Sequence, residues 1–262
     1  MKTIFWAGDS TVKQNTILSY PQTGIGQGFE RYVKRGEVVI CNCAENGRST
    51  KQFLDEGRLI PICENIRPGD FLLIQFGHND EKDNDPERFA AADTTYSKNL
   101  ETFVNAARDK GAVPVIITPL TRRCFLGNTS VYRHEAWAAA ARRTASRLNV
   151  ALVDLTSMSE ALVAEWGERS TQLYMHVPAG VYPAFPNGMV DNTHLTPHGA
   201  VVFAGLIAKS LYEMGGVYAE LICDEYEEWQ QIVQANTTPH VIHSDTPVEM
   251  DEDSAVGYQS KR

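Results

Sequence analysis

Pro68-Gly69-Asp70-Phe71-Leu72-Leu73-Ile74-Gln75-Phe76 decides the fold class. The Pro-Gly pair marks a turn, and the run after it is apolar at consecutive positions rather than alternate ones. Such a run fits a strand buried on both faces, as in a parallel sheet covered by helices. Similar runs flank it: Thr3-Ile4-Phe5-Trp6-Ala7, Glu37-Val38-Val39-Ile40-Cys41-Asn42, Val113-Pro114-Val115-Ile116-Ile117-Thr118 and Val150-Ala151-Leu152-Val153-Asp154. Most helical patterns lie between them. Residues 94–110 and 131–149 are rich in helix formers, with near-continuous alanine from Ala136 to Ala141. Residues 156–167 follow a Thr156 or Ser157 cap, and residues 196–213 follow Thr196-Pro197, a cap with proline at the first helical position. Strand and helix in alternation predict a doubly wound, three-layer α/β/α fold.

Two stretches break the rhythm. Residues 170–190 carry Pro178, Gly180, Pro183, Pro186 and Gly188 and read as one long loop. Beyond residue 215, a helical pattern over 217–233 (Val217, Leu221, Trp229, Ile232 and Val233 on one face) gives way to a polar, acidic tail over 236–262. The chain therefore divides into a main domain, 1–215, and an acidic extension, 216–262. Of the net charge of −9, residues 216–262 carry −8, leaving the main body nearly neutral. No basic stripe suits a nucleic acid. No run approaches the ~18 apolar residues of a membrane span. Five cysteines without CxxC spacing argue against a disulfide framework and a zinc ribbon. The start, Met1-Lys2, leads straight into a strand rather than a signal-peptide core, which predicts a cytoplasmic protein.

In an open parallel sheet, ligands bind at the carboxyl ends of the strands. The first strand ends in Gly8-Asp9-Ser10-Thr11, the second leads into Asn46-Gly47-Arg48-Ser49, and the third into Gly77-His78-Asn79-Asp80. Asp191-Asn192-Thr193-His194 precedes the last helix. Each alone has a plainer reading: Gly-Asp-Ser as a helix cap, Gly-His-Asn-Asp as a turn, His194 as a surface histidine. Together they supply what acyl transfer needs. A serine nucleophile requires a base, and the base requires a carboxylate to set its tautomer. One short segment presents both Asp191 and His194. The backbone N–H groups of Ser10 and Gly47 and the amide of Asn79 are candidate oxyanion donors from three loops.

The four blocks GDST, NGRS, GHND and DNTH, in this order, resemble those of the SGNH (GDSL-type) hydrolases. The stretches FWAGDSTV, QTGIGQGF, NGRST, FGHND and DNTHLTPHGA are similar to the rhamnogalacturonan acetylesterase branch. The resemblance covers roughly residues 3–213. It implies a flavodoxin-like sandwich with a five-stranded parallel sheet and no metal or organic cofactor. It also implies Ser10 as nucleophile, His194 as base and then acid, Asp191 as its orienter, and an oxyanion hole of Ser10, Gly47 and Asn79. The implied substrate is an acetylated plant cell-wall oligosaccharide of rhamnogalacturonan or xylan type; the start without a leader departs from many secreted relatives and favours imported oligosaccharides over a polymer met outside the cell.

Arg48, His78 and His176 are the candidate substrate contacts, with Arg48 also readable as a surface ion pair. Arg122 and Arg123 share that ambiguity, and Tyr182 and Phe185 could join His176 in a wall for sugar stacking. The extension is a candidate contact for homo-oligomers. Other catalytic motifs fit poorly. Gly24-Ile25-Gly26-Gln27-Gly28-Phe29 is not a dinucleotide fingerprint, and Leu195 stands where a zincin helix needs Glu beside His194 and His198. Two alternatives remain: the same core acting on a different acyl group (a lysophospholipase, thioesterase or aryl esterase), and a non-catalytic sugar-binding module. The second requires Ser10 and His194 to lie out of reach of each other.

Overall fold

A computed structural model describes residues 1–126, 129–130 and 134–224. Its central sheet contains β1 (Lys2–Gly8), β2 (Val38–Asn42), β3 (Phe71–Gln75) and β4 (Val113–Ile117). A two-residue pair, β5 (Phe125–Leu126) and β6 (Thr129–Ser130), stands apart, and the fifth strand of the sheet is β7 (Ala151–Val153). The order is β2-β1-β3-β4-β7, all parallel. All five expected strands are present. The Pro68-Gly69 turn is tied to β1 by Asp70, whose carboxylate accepts from Thr3 N–H (2.8 Å) and Arg67 N–H (2.9 Å).

The consecutive apolar runs divide between two cores. Ile4, Trp6, Phe71 and Leu73 face α1 (Ile25–Phe29), α6 (Leu155–Trp166) and α7 (Pro197–Met214). Phe5, Ala7, Leu72 and Ile74 face α2 (Thr50–Asp55), α3 (Leu59–Asn65), α4 (Ser97–Asp109) and α5 (Glu135–Leu148). The alanines of α5 let it lie close to the sheet: Ala140, Ala141 and Ala145 are all in this second core. Close approach also explains the glycines of α1. A Cβ on Gly28 would meet the Ala200 carbonyl of α7 at 2.3 Å, and one on Gly26 would meet the Asn42 amide at 2.3 Å. That stretch is a packing surface.

Three expectations need correction. The cap of α6 is Asp154, not Thr156 or Ser157; its carboxylate accepts from Ser157 N–H. Residues 170–190 are not one loop. A 3₁₀ turn (Gly167–Leu173) runs into β8 (Tyr174–Val177), which pairs antiparallel with β9 (Met189–Leu195). Only the tip between these strands holds the prolines and glycines. The helix expected over 217–233 begins as a single turn, α8 (Gly216–Ala219), and residues from 225 onward lie outside the described residues. Leu221 and Ile222 are fully buried in the first core, and Cys223 N–H donates to the Tyr32 carbonyl. No helix among the described residues is long and apolar enough to cross a membrane.

Candidate active site

Register brings the loops together. Gly8 of β1 pairs with Gln75 of β3, and Trp6 pairs with Asn42 of β2, so three strands end side by side. Glu45 N–H donates to the Gly8 carbonyl (3.1 Å), and the Asn79 amide donates to the Arg48 carbonyl (3.2 Å). The capping role in the first turn falls to Asp9, whose carboxylate accepts from the backbone (2.9 Å) and hydroxyl (2.7 Å) of Thr11. Ser10 is left to another partner.

That partner arrives from β9. His194 Nε2 lies 2.9 Å from Ser10 Oγ, and His194 Nδ1 lies 2.6 Å from Asp191 Oδ2. The second Asp191 oxygen accepts from Thr193 N–H (2.7 Å) and His194 N–H (3.0 Å). Burial alone would raise the Asp191 carboxyl; the His194 hydrogen bond and these two amides hold it far below the ordinary carboxylate range. An ionised Asp191 accepts Nδ1–H, which leaves Nε2 free to take the serine proton. The reading that needed Ser10 and His194 apart is excluded by their contact. After β9, Thr196 caps α7 and Pro197 opens it, as expected.

Asn79 is buried at the mouth of the β3 loop. Gly47 sits at φ +72°, a left-handed conformation that glycine enters without steric cost. The three candidate oxyanion donors therefore come from three adjoining loops.

The candidate substrate contacts fare differently. Arg48 takes its plainer reading: its guanidinium meets both oxygens of Glu56 (3.0 Å each) and the Asn46 carbonyl (2.8 Å). His78 is corrected, since only 3% of it is exposed and its ring packs edge-on to His134 at 4.5 Å. His176 lies on β8 and meets the Asn192 side chain at 2.8 Å, so it braces the catalytic segment. Arg123 does the same from the β4 loop, its N–H donating to the Asn192 carbonyl at 2.8 Å. Tyr182, in the hairpin tip, packs edge-on against Tyr20 at 5.8 Å.

Beneath the nucleophile, two buried carboxyls diverge. Burial raises Asp9, but His78 and the Thr11 hydrogen bonds outweigh it, and its carboxyl sits below the ordinary range. Asp80 accepts from Thr50 N–H (2.9 Å) and hydroxyl (2.5 Å), yet burial outweighs these bonds and pushes it up to about 8. Asp80 thus keeps its proton where an unfolded chain would lose it. Stability from this group falls as pH rises from the unfolded carboxyl value to about 8, and levels beyond. Asp80→Asn, which preserves an acceptor for Thr50, is expected to remove that slope. Thermal melts between pH 5 and pH 8 should show the wild type losing Tm relative to the variant. Parallel curves would refute a protonated Asp80.

A family model described as GDSL-like lipase/acylhydrolase matches residues 7–202. The chain is 37% identical over 214 residues to the rhamnogalacturonan acetylesterase RhgT of Bacillus subtilis (strain 168), covering 81% of this chain and 90% of that one. It is also 37% identical over 222 residues to the probable rhamnogalacturonan acetylesterase YesY of the same organism, covering 85% and 98%. Among solved structures, that of YxiM from Bacillus subtilis superposes with a TM-score of 0.69 at 27% identity, over 82% of this chain and 57% of that one. Sheet order, the serine–histidine–aspartate contacts and the matched span agree: the chain belongs to the GDSL-like lipase/acylhydrolase family.

Proposed function

We propose that this protein is a serine carbohydrate acetylesterase that removes O-acetyl groups from rhamnogalacturonan-derived oligosaccharides. The observation that carries the reading is the continuous contact from Asp191 through His194 to Ser10, at 2.6 and 2.9 Å, on the ligand-binding edge of the sheet. Similarity to the two Bacillus enzymes supports the choice of acyl group and sugar.

Ser10 Oγ attacks the acetyl carbonyl as His194 Nε2 takes the hydroxyl proton. Asp191 stabilises the imidazolium that forms. The tetrahedral oxyanion is held by Ser10 N–H, Gly47 N–H and Asn79, each such donor being worth about 10²- to 10³-fold in rate. His194 returns its proton to the departing sugar oxygen, leaving acetyl-Ser10 and a free sugar hydroxyl. Water, deprotonated by His194, then attacks the acetyl-enzyme, releasing acetate and restoring Ser10.

The test is release of acetate from acetylated rhamnogalacturonan and acetylated xylan oligomers, beside p-nitrophenyl esters from acetyl to octanoyl, with Ser10→Ala as control. Ser10-dependent acetate from the rhamnogalacturonan oligomers, with acetyl favoured over octanoyl, is the expected outcome. Preference for octanoyl would point to an apolar acyl channel and sink the acetylesterase reading. Release from xylan alone would overturn the choice of sugar.

A further inference from the structure

The segment holding Asp191 and His194 is gripped from the β4 loop. Arg122 Nη1 donates to the Thr193 hydroxyl at 2.5 Å, and Arg122 Nη2 donates to Glu81 Oε1 at 3.2 Å. Thr193 lies between the catalytic acid and base, and its own N–H donates to Asp191. The Arg122 side chain is only 11% exposed. Glu81 is held in turn by His134, whose Nδ1 lies 2.5 Å from the other Glu81 oxygen. The His134 ring packs on His78, and His78 Nδ1 lies 3.4 Å from Asp9 Oδ2, one residue before the nucleophile. One buried polar chain thus runs from the Ser10 turn to the His194 segment.

We infer that Arg122 is a positioning residue: its guanidinium, seated on Glu81, holds Thr193 and so sets the angle at which His194 meets Ser10. The inference rests on the serine-esterase reading above. Arginine suits the task because its planar fork reaches two acceptors at fixed geometry, which an ammonium cannot. Burial alone would raise the Glu81 carboxyl; His134 and Arg122 outweigh it and keep it below the ordinary range, so the seat stays ionised. A misplacement of about 1 Å at a catalytic contact is enough to cost about 10²-fold in rate. With both sides of its fork engaged inside the protein, Arg122 is not directed at substrate.

Arg122→Met is expected to lower kcat for p-nitrophenyl acetate by about 10²-fold with KM within about threefold. Arg122→Lys, which keeps the charge and reaches one acceptor, should recover part of the loss. Thr193→Val, nearly isosteric, should fall by a similar factor. The double variant should be no worse than the poorer single one, because both remove the same contact. Wild-type kcat in Thr193→Val, a loss carried by KM, or additive losses would each overturn the inference. If Arg122→Met fails to fold, as judged by near-UV circular dichroism, Arg122→Lys and Thr193→Val carry the test. The two readings fail differently. A wild-type protein without Ser10-dependent turnover refutes the esterase; an active wild type with unaffected Arg122 and Thr193 variants refutes only the positioning role.

Discussion

Ser10→Ala is expected to lower kcat for p-nitrophenyl acetate by about 10⁶-fold, the scale seen when a triad nucleophile is removed. The hydroxyl is the atom that forms the covalent bond, so its loss removes the two-step route through acetyl-serine. What remains is the weaker help of oxyanion donors and substrate binding. The fold should survive. The turn is held by Asp9 through Thr11 N–H and Thr11 hydroxyl, and by the Asp9 carbonyl accepting from Val12 N–H (3.1 Å), none of which uses the Ser10 side chain. Steady-state kinetics, a thermal melt and mass spectrometry of a quenched reaction check this together. The wild type should carry an acetyl group on Ser10, and the variant none. A variant that retains more than about one per cent of kcat would remove Ser10 from the chemistry.

The sheet is legible in the sequence because strands buried on both faces must be apolar at consecutive positions, and Ile4 through Ala7 and Phe71 through Ile74 are. The hairpin β8–β9 is not legible for the opposite reason. β9 carries Asp191, Asn192, Thr193 and His194 in succession, so function displaces the alternation that marks a strand. Its strand character comes from pairing with Tyr174–Val177, a tertiary partner. Ser10, Asp191 and His194 are legible as a set because acyl transfer demands those residue types at strand ends. Their supports are not. Whether His78 faces substrate or core depends on Asp9 and His134, which no local pattern places beneath it. Arg48 is taken up by Glu56 at the end of α2, a short helix that periodicity over six residues does not reveal. Arg122 illustrates the limit most clearly, since its two acceptors come from the β3 loop and from β9.

Asp191→Asn should lower kcat by about 10⁴-fold, although it only replaces one carboxylate oxygen by an amide NH₂. The asparagine oxygen can still accept from Thr193 N–H and His194 N–H, so the turn keeps its shape. Its NH₂ group then faces His194 Nδ1 and donates to it. The imidazole must carry its proton on Nε2 instead, toward Ser10, and cannot accept the serine proton in that tautomer. The charge that stabilises the imidazolium is lost as well. Stability should follow a separate course. The Asp191 carboxyl is held below its unfolded value, so its contribution is complete above the unfolded value and is lost as pH falls toward the folded one. The Tm gap between wild type and Asp191→Asn is therefore expected to be widest near neutral pH and to narrow below about pH 4. Kinetics at neutral pH and melts across the acid range measure the two effects on the same samples. A variant within about tenfold of wild-type kcat would mean that His194 finds its tautomer without Asp191. The 2.6 Å contact would then be structural, and the base would have to be oriented from elsewhere.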